Sequence, residues 1–183
     1  MSEQVKRRAP ALLVVLGMIS ACESNPELAG ALPTPDGEQF VHEVYPLLLR
    51  DCAFSGCHGA PERFLRIVGP GRVRLQGIAP RDEPRLEEVM LSYDRARATL
   101  STTATPEQSL FLRKPLALAA GGQTHEGSDA FGRNVYASKA DPRYSVLLEW
   151  ARSFGEAPNI KMVVQLSADA QAERENLELE EVP

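Results

Sequence analysis

The stretch that most constrains this chain is Asp51-Cys52-Ala53-Phe54-Ser55-Gly56-Cys57-His58-Gly59. Two thiols stand with four residues between them, and an imidazole follows the second directly. Covalent haem attachment needs that order. The thiols add to the two vinyl groups of a haem, and the adjacent imidazole is carried under the iron as an axial ligand. The usual spacing is Cys-x-x-Cys-His, so the loop here holds two residues too many. Those residues can bulge outward, and Gly56 can take backbone angles that let such a loop close. From the spacing alone a second arrangement is equally open: a Cys52–Cys57 disulfide closing a small loop, with His58 on the surface. Zinc would want four ligands, and the stretch offers two thiols and one histidine.

The N-terminus bears on the compartment. Lys6, Arg7 and Arg8 precede an apolar run from Ala9 to Ile19, and small residues lead into Cys22. This is the layout of a secretory signal over residues 1–21. The ending Ile19-Ser20-Ala21-Cys22 resembles the bacterial lipobox, which implies that Cys22 is lipidated and becomes the mature N-terminus. An ordinary signal peptide or a short anchor helix is the alternative, although the run is well below the ~20 residues of a spanning helix. Lipidation of Cys22 leaves Cys52 and Cys57 as the remaining pair in an oxidising setting. Export serves both readings of that pair, since c-type haem is attached outside the cytoplasm and disulfides form there too. Glu23 rather than Asp after Cys22 favours the outer membrane over the inner, on its periplasmic side, by the sorting rule of enteric bacteria.

Composition narrows the class further. The 183 residues suit one domain, and 6% aromatics argues against a large all-β core. Net charge is −5; losing residues 1–21 removes three positive charges and one negative, giving about −7. No dense Lys/Arg cluster follows the first residues, so nucleic acid is not an expected partner.

Along the mature chain, residues 22–37 are proline-rich and read as a flexible tether. Phe40, Val41, Val44, Leu47 and Leu48 then give a helical apolar face, with a kink expected at Pro46, and deliver Cys52 at the helix end. Phe64 to Ile78 reads as a pair of short strands, with Val73 and Leu75 alternating with Arg72 and Arg74. Pro84 opens a helix whose Glu87, Glu88, Arg95 and Arg97 complement its dipole. Thr105-Pro106-Glu107-Gln108 reads as a capping box starting a helix to Lys114. Asp141-Pro142 caps a helix that Gly155 closes. Residues 160–166 read as strand-like, and an acidic, solvated tail with six acids and one base begins at Asp169. The expected architecture is mostly α: about four helices with long loops over residues 38–155, then an extension over 156–183.

Phe40-x5-Pro46-x5-Cys52-x4-Cys57-His58-Gly59 resembles the small c-type cytochrome-like domains of exported bacterial proteins of planctomycete and myxobacterial type. A second stretch is similar too: Ser109-Leu110-Phe111-Leu112-Arg113-Lys114-Pro115-Leu116, then Gly121-Gly122, His125-Glu126-Gly127, Phe131, and Tyr144 to Trp150. The resemblance covers residues 38–155. It implies a cytochrome c-like fold whose first and last helices cross beside the haem, and a haem c electron carrier. A haem peroxidase-like activity is the enzymatic alternative and would need an open distal site, which a bound His125 argues against. Cys52 and Cys57 would bind the cofactor, His58 would be the proximal ligand and His125 the distal one. An unidentified redox protein and, through Cys22, a membrane are the implied partners. The alternative remains a non-haem lipoprotein, with a structural disulfide, that binds another surface protein.

Other residues compete for these roles. Met90 sits on a regular helix face, where methionine is usually packing, Met162 in the late apolar segment, and His42 on the first helix beside a charged neighbour. Phe40, Val44, Leu48, Leu147, Leu148 and Trp150 are candidates for an apolar haem slot. A carbonyl in the Gly59-Ala60-Pro61 turn is the expected partner for the second nitrogen of His58. Arg63, Arg66, Arg72 and Arg74 form either a group that meets haem propionates or an acidic partner, or a solvated charged face.

Overall fold

A computed structural model of the chain describes residues 32–100, 105–126 and 134–180, with side chains described as far as 173. The signal peptide, Cys22, most of the tether, Gly127 and Phe131 lie outside the described residues. Contacts divide the chain after Gly30, and all that follows concerns the unit Ala31–Pro183.

The first helical run has three consecutive parts: α1 (Gly37–Gln39), a π-helical turn (Phe40–Val44) and α2 (Tyr45–Asp51). Asp36 starts it by accepting the Gln39 N–H at 2.7 Å. The kink expected at Pro46 is replaced by the π turn, which places Pro46 in the first turn of α2. The residue before it, Tyr45, gives its N–H to the Phe40 carbonyl and closes the π turn, and Pro46 has no N–H to add to the run. Cys52 caps the end of α2, its N–H reaching the Leu48 carbonyl at 2.9 Å.

No strand occurs among the described residues, so the expected pair within 64–78 is not formed. The alternation of arginine and apolar residues serves another purpose. Arg74 turns inward, 5% exposed, onto Glu88, 0% exposed, at 2.7 Å. Its remaining N–H groups bond the carbonyls of Ala79, Pro80, Asp82 and Glu83. Backbone groups that strands would pair are satisfied in turns around this one guanidinium. The segment therefore folds around a cation rather than into a sheet.

Helix α3 (Leu86–Ala98) carries Glu87 and Glu88 in its first turn and Arg95 and Arg97 in its last, as its charge pattern predicts. Burial pushes the Glu88 carboxyl up, but Arg74 and the N–H groups of Leu75 and Arg85 hold it below the usual range. The helix expected over 106–114 is broken in two, a 3₁₀ turn Pro106–Gln108 and α4 (Leu110–Arg113), because Ser109 is extended at ψ 153°. Thr105 makes no side-chain capping bond there. A second 3₁₀ turn, Leu118–Ala120, ends at Gly121 with φ 93°. Leu116 and Tyr136 form an isolated parallel bridge.

Helix α5 (Pro142–Arg152) starts at Asp141, which accepts the Arg143 N–H at 3.0 Å. It stops at Ser153 rather than Gly155. Gly155 instead donates its N–H to Thr34 at 3.0 Å, and a Cβ on it would meet Asp36 Oδ2 at 2.5 Å. The last helix, α6 (Ile160–Glu180), replaces the expected strand-like segment and runs on into the acidic tail. Asn159 initiates it through its side-chain oxygen, 3.0 Å from the Lys161 nitrogen.

The core sits where the π turn meets α5. Trp150, fully buried, lies 5.2 Å from the Phe40 ring and 5.3 Å from that of Phe111, and Tyr93 stands edge-on to Phe40 at 5.2 Å. Such pairs add about 0.5–1.5 kcal/mol each beyond area burial. The polar tips are satisfied by the chain entering α1: Trp150 donates to the Asp36 carbonyl at 3.0 Å and Tyr93 to that of Pro35 at 2.7 Å. Thr34, Pro35 and Asp36 thus belong to the folded body, which begins before residue 38. Val163 of α6 is buried in the same core.

Candidate functional site

The two extra residues between the thiols are folded out as a turn. Cys57 donates its N–H to the Phe54 carbonyl at 2.8 Å, and Gly59 donates to the same oxygen at 3.0 Å. The His58 N–H reaches back to Cys52 at 3.1 Å, closing the whole loop on itself. Phe54, Ser55 and Gly56 stay exposed. Gly56 has no positive φ, and nothing stands within 4 Å of where its Cβ would be. The glycine that the loop requires is Gly59, where a Cβ would lie 2.7 Å from the Ala53 carbonyl oxygen.

His58 is held from both sides. Its Nδ1 lies 2.8 Å from the Leu65 carbonyl oxygen. A carbonyl only accepts, so Nδ1 carries the proton and Nε2 keeps its lone pair. The expected carbonyl of the Gly59-Ala60-Pro61 turn is thus replaced by that of Leu65. The Ile67 N–H then donates to the His58 carbonyl at 2.8 Å. Burial drives the His58 pKa below its ordinary value; the Leu65 bond opposes this and Arg63 adds to it.

His125 is brought to His58 from 67 positions along the sequence. Their rings are nearly parallel, 13° apart, with centroids 5.8 Å from each other. The loop holding His125 is tied at several points. Gln123 donates its N–H to Arg113 at 2.9 Å, and Lys114 Nζ donates to Thr124 at 2.8 Å. The Asn134 amide donates to the carbonyls of Leu116 (2.7 Å), Lys114 (3.1 Å) and Gln123 (3.3 Å). Gly122 passes so close to the Leu116 carbonyl that no Cβ fits there. Arg63 and Glu126 join the two histidine segments at 3.0 Å. Burial lowers the His125 pKa, with His58, Lys114 and Arg63 adding to the shift and Glu126 opposing it. Its Nδ1 is buried and has no hydrogen-bond partner.

Cys52 and Cys57 are both half-buried and unbridged. Burial pushes the Cys52 thiol up to about 12, with Asp51 and Cys57 adding to the effect and Arg50 opposing it. Asp51 is anchored by Arg50 at 2.8 Å, Arg143 at 3.4 Å and the Tyr136 hydroxyl at 3.4 Å, tying the end of α2 to α5 and the bridge. Although His125 adds a second imidazole, no group of three His, Cys, Asp or Glu side chains among the described residues is placed to hold a metal ion. A haem needs only two protein ligands, because the porphyrin supplies four nitrogens. The paired rings fit that requirement: His58 has Nε2 left over, and His125 has a buried nitrogen without a partner.

The competing residues are engaged elsewhere. His42 is 3.8 Å from Asp169, Met90 lies within α3, and Met162 packs against the core from α6. Of the slot candidates, Phe40, Val44, Leu48, Leu147 and Trp150 are buried in the protein core itself and Leu148 packs against it. Arg74 is the buried partner of Glu88, and Arg72 donates to Leu49 at 2.7 Å while stacking 4.4 Å above the Phe54 ring. Leu65 and Asn134 were not singled out by the sequence, the first because it acts through its backbone and the second because its partners lie well back along the chain. Asp51 opens the Cys-His stretch, but its contacts with Arg143 and Tyr136 are made at long range.

No family model, curated protein or solved structure matches this chain.

Proposed function

We propose that this chain is an exported electron carrier, anchored by lipid at Cys22, with a c-type haem attached through Cys52 and Cys57. His58 would be the proximal ligand and His125 the distal one, in a cytochrome c-like domain. Bound haem supplies a one-electron iron couple; the chain's own residues hold and orient it. The observation that carries this reading is the near-parallel pair His58 and His125 at 5.8 Å. The bond from His58 to Leu65 supports it, since ligating histidines ordinarily donate their second nitrogen in this way. Burial lowers both imidazole pKa values from the ordinary one, which favours the neutral, ligating form. The unbridged thiols of Cys52 and Cys57 are compatible with two thioether bonds.

The test is co-expression with a c-type haem maturation system. The expected product is a red protein whose haem survives denaturing electrophoresis. A colourless protein, two protons lighter than its reduced form and without free thiols, would sink the reading in favour of a disulfide-bearing binding module.

A further inference from the structure

We infer that the surface carrying Leu32, Phe154, Ile160 and Val164 docks on a lipid bilayer, an inference that rests on the lipid anchor proposed at Cys22. Apolar side chains exposed singly need no explanation. These four are half of the eight large apolar residues exposed among the described ones: Leu32 at 43%, Phe154 at 85%, Ile160 at 58% and Val164 at 59%. Backbone bonds bring their segments together. The Gly155 N–H, next to Phe154, donates to Thr34, two residues after Leu32, and the Gly37 N–H donates to Glu156 at 2.8 Å. Helix α6 follows this link. Its buried Val163 faces the core, while Ile160 and Val164, one turn apart, face out.

Connectivity and charge identify what covers this surface. Leu32 is where the chain from Cys22, ten residues upstream, enters the described fold. A lipid on Cys22 therefore leads to the body at its own exposed apolar side chains. Residues 157–168 hold a single charge, the exposed Lys161, and acids return at Glu156 and Asp169 on either side. An apolar turn with one cation and no acid suits the headgroup boundary, where the lysine stem lies along apolar surface and its ammonium meets anionic lipid. The chain as a whole carries −5, which repels anionic lipid, so this run selects the face that approaches. The contact need only be weak. With the lipid in place docking is intramolecular and gains from effective concentration, whereas without the lipid the same contact does not retain the chain.

The experiment uses the full lipidated chain in vesicles of phosphatidylethanolamine and phosphatidylglycerol, with plain or brominated acyl chains. Trp150 is the chain's single tryptophan and is fully buried, so contact quenching by bromine should leave the parent unchanged. In Phe154→Trp the introduced indole should sit among the headgroups, and brominated lipid is expected to remove roughly half of the total emission. Adding Ile160→Ser and Val164→Ser, or Lys161→Glu alone, should restore most of it. If the serine pair fails to fold, Lys161→Glu decides. Equal emission from Phe154→Trp on plain and brominated vesicles that carry the chain would overturn the docking and leave the anchor intact. Quenching that survives the substitutions would overturn it too. A dimer in detergent that the same substitutions dissociate would give the surface to a second copy instead. A full chain that does not float with vesicles overturns both the docking and the anchor.

Discussion

Leu65 contributes to the site through its carbonyl, an atom that every residue has. By accepting from Nδ1 of His58 it selects the tautomer that leaves Nε2 for a ligand. His125 has no such support, and its buried Nδ1 is unfilled. In the haem-loaded protein, His125→Ala is therefore expected to keep the covalent haem but turn a six-coordinate, low-spin iron into a high-spin one. Absorption and electron paramagnetic resonance spectra check this, and unchanged spectra would remove His125 from the ligand set. The two histidines also give the haem-free protein a pH dependence of defined sign. Both pKa values are lowered in the fold, so the unfolded chain binds more protons just below about pH 6.5. Their contribution is fully present above that pH and is lost as pH falls toward the depressed values. Urea midpoints measured down a pH series should fall through this window, and less steeply in a His58→Gln, His125→Gln double variant. In the loop that carries the thiols and His58, Gly59→Ala is expected to lose about 1–3 kcal/mol to its clash with a backbone oxygen. Gly56→Ala should be neutral within about 0.5 kcal/mol, and equal losses in denaturant titrations would contradict that turn.

At the scale of elements, the sequence was legible where chemistry is repeated and opaque where single long-range contacts decide. The charges of α3, the cap at Asp141 and the apolar face of residues 40–48 are local patterns, and each element formed. The order of Cys52, Cys57, His58 and the distant His125 loop also identified residues that the fold brings together, at least for the two histidines. The segment 64–78 misled, because its period-two alternation is the same whether arginines face solvent or turn inward. Only the distant Glu88 decides which. That pair carries a prediction of its own. Glu88→Gln leaves the Arg74 guanidinium, 5% exposed, without its counter-charge, and removing one partner of a buried pair costs about 3–5 kcal/mol. Thermal unfolding should register the loss, and a variant as stable as the parent would refute the role of the pair. The depressed Glu88 pKa implies stability that is present above the carboxylate range. It is lost as pH falls below about 4.3, the ordinary glutamate value. Strand-like apolarity at 160–166 misled for a related reason. A run of Val and Ile fits either period, and Asn159 settles it as helix by capping α6.

On the scale of the whole molecule, the folded body and its proposed anchor are separate problems with separate residues. Among the described residues no helix is long and apolar enough to cross a membrane. The attachment we propose is a lipid on Cys22, upstream of Thr34, which among the described residues accepts the Gly155 N–H. The proposal gives the anchor to Cys22 and the cofactor to Cys52, Cys57, His58 and His125, so the two should separate by mutation. Cys22→Ser is expected to move the protein from the membrane fraction to the soluble one and to lose the mass of the lipid. It should leave haem loading and the visible spectrum unchanged wherever export still proceeds. Cell fractionation, intact mass and an absorption spectrum measure the three outcomes. A Cys22→Ser protein that stays with the membrane after a salt wash would show that something other than residue 22 holds it there.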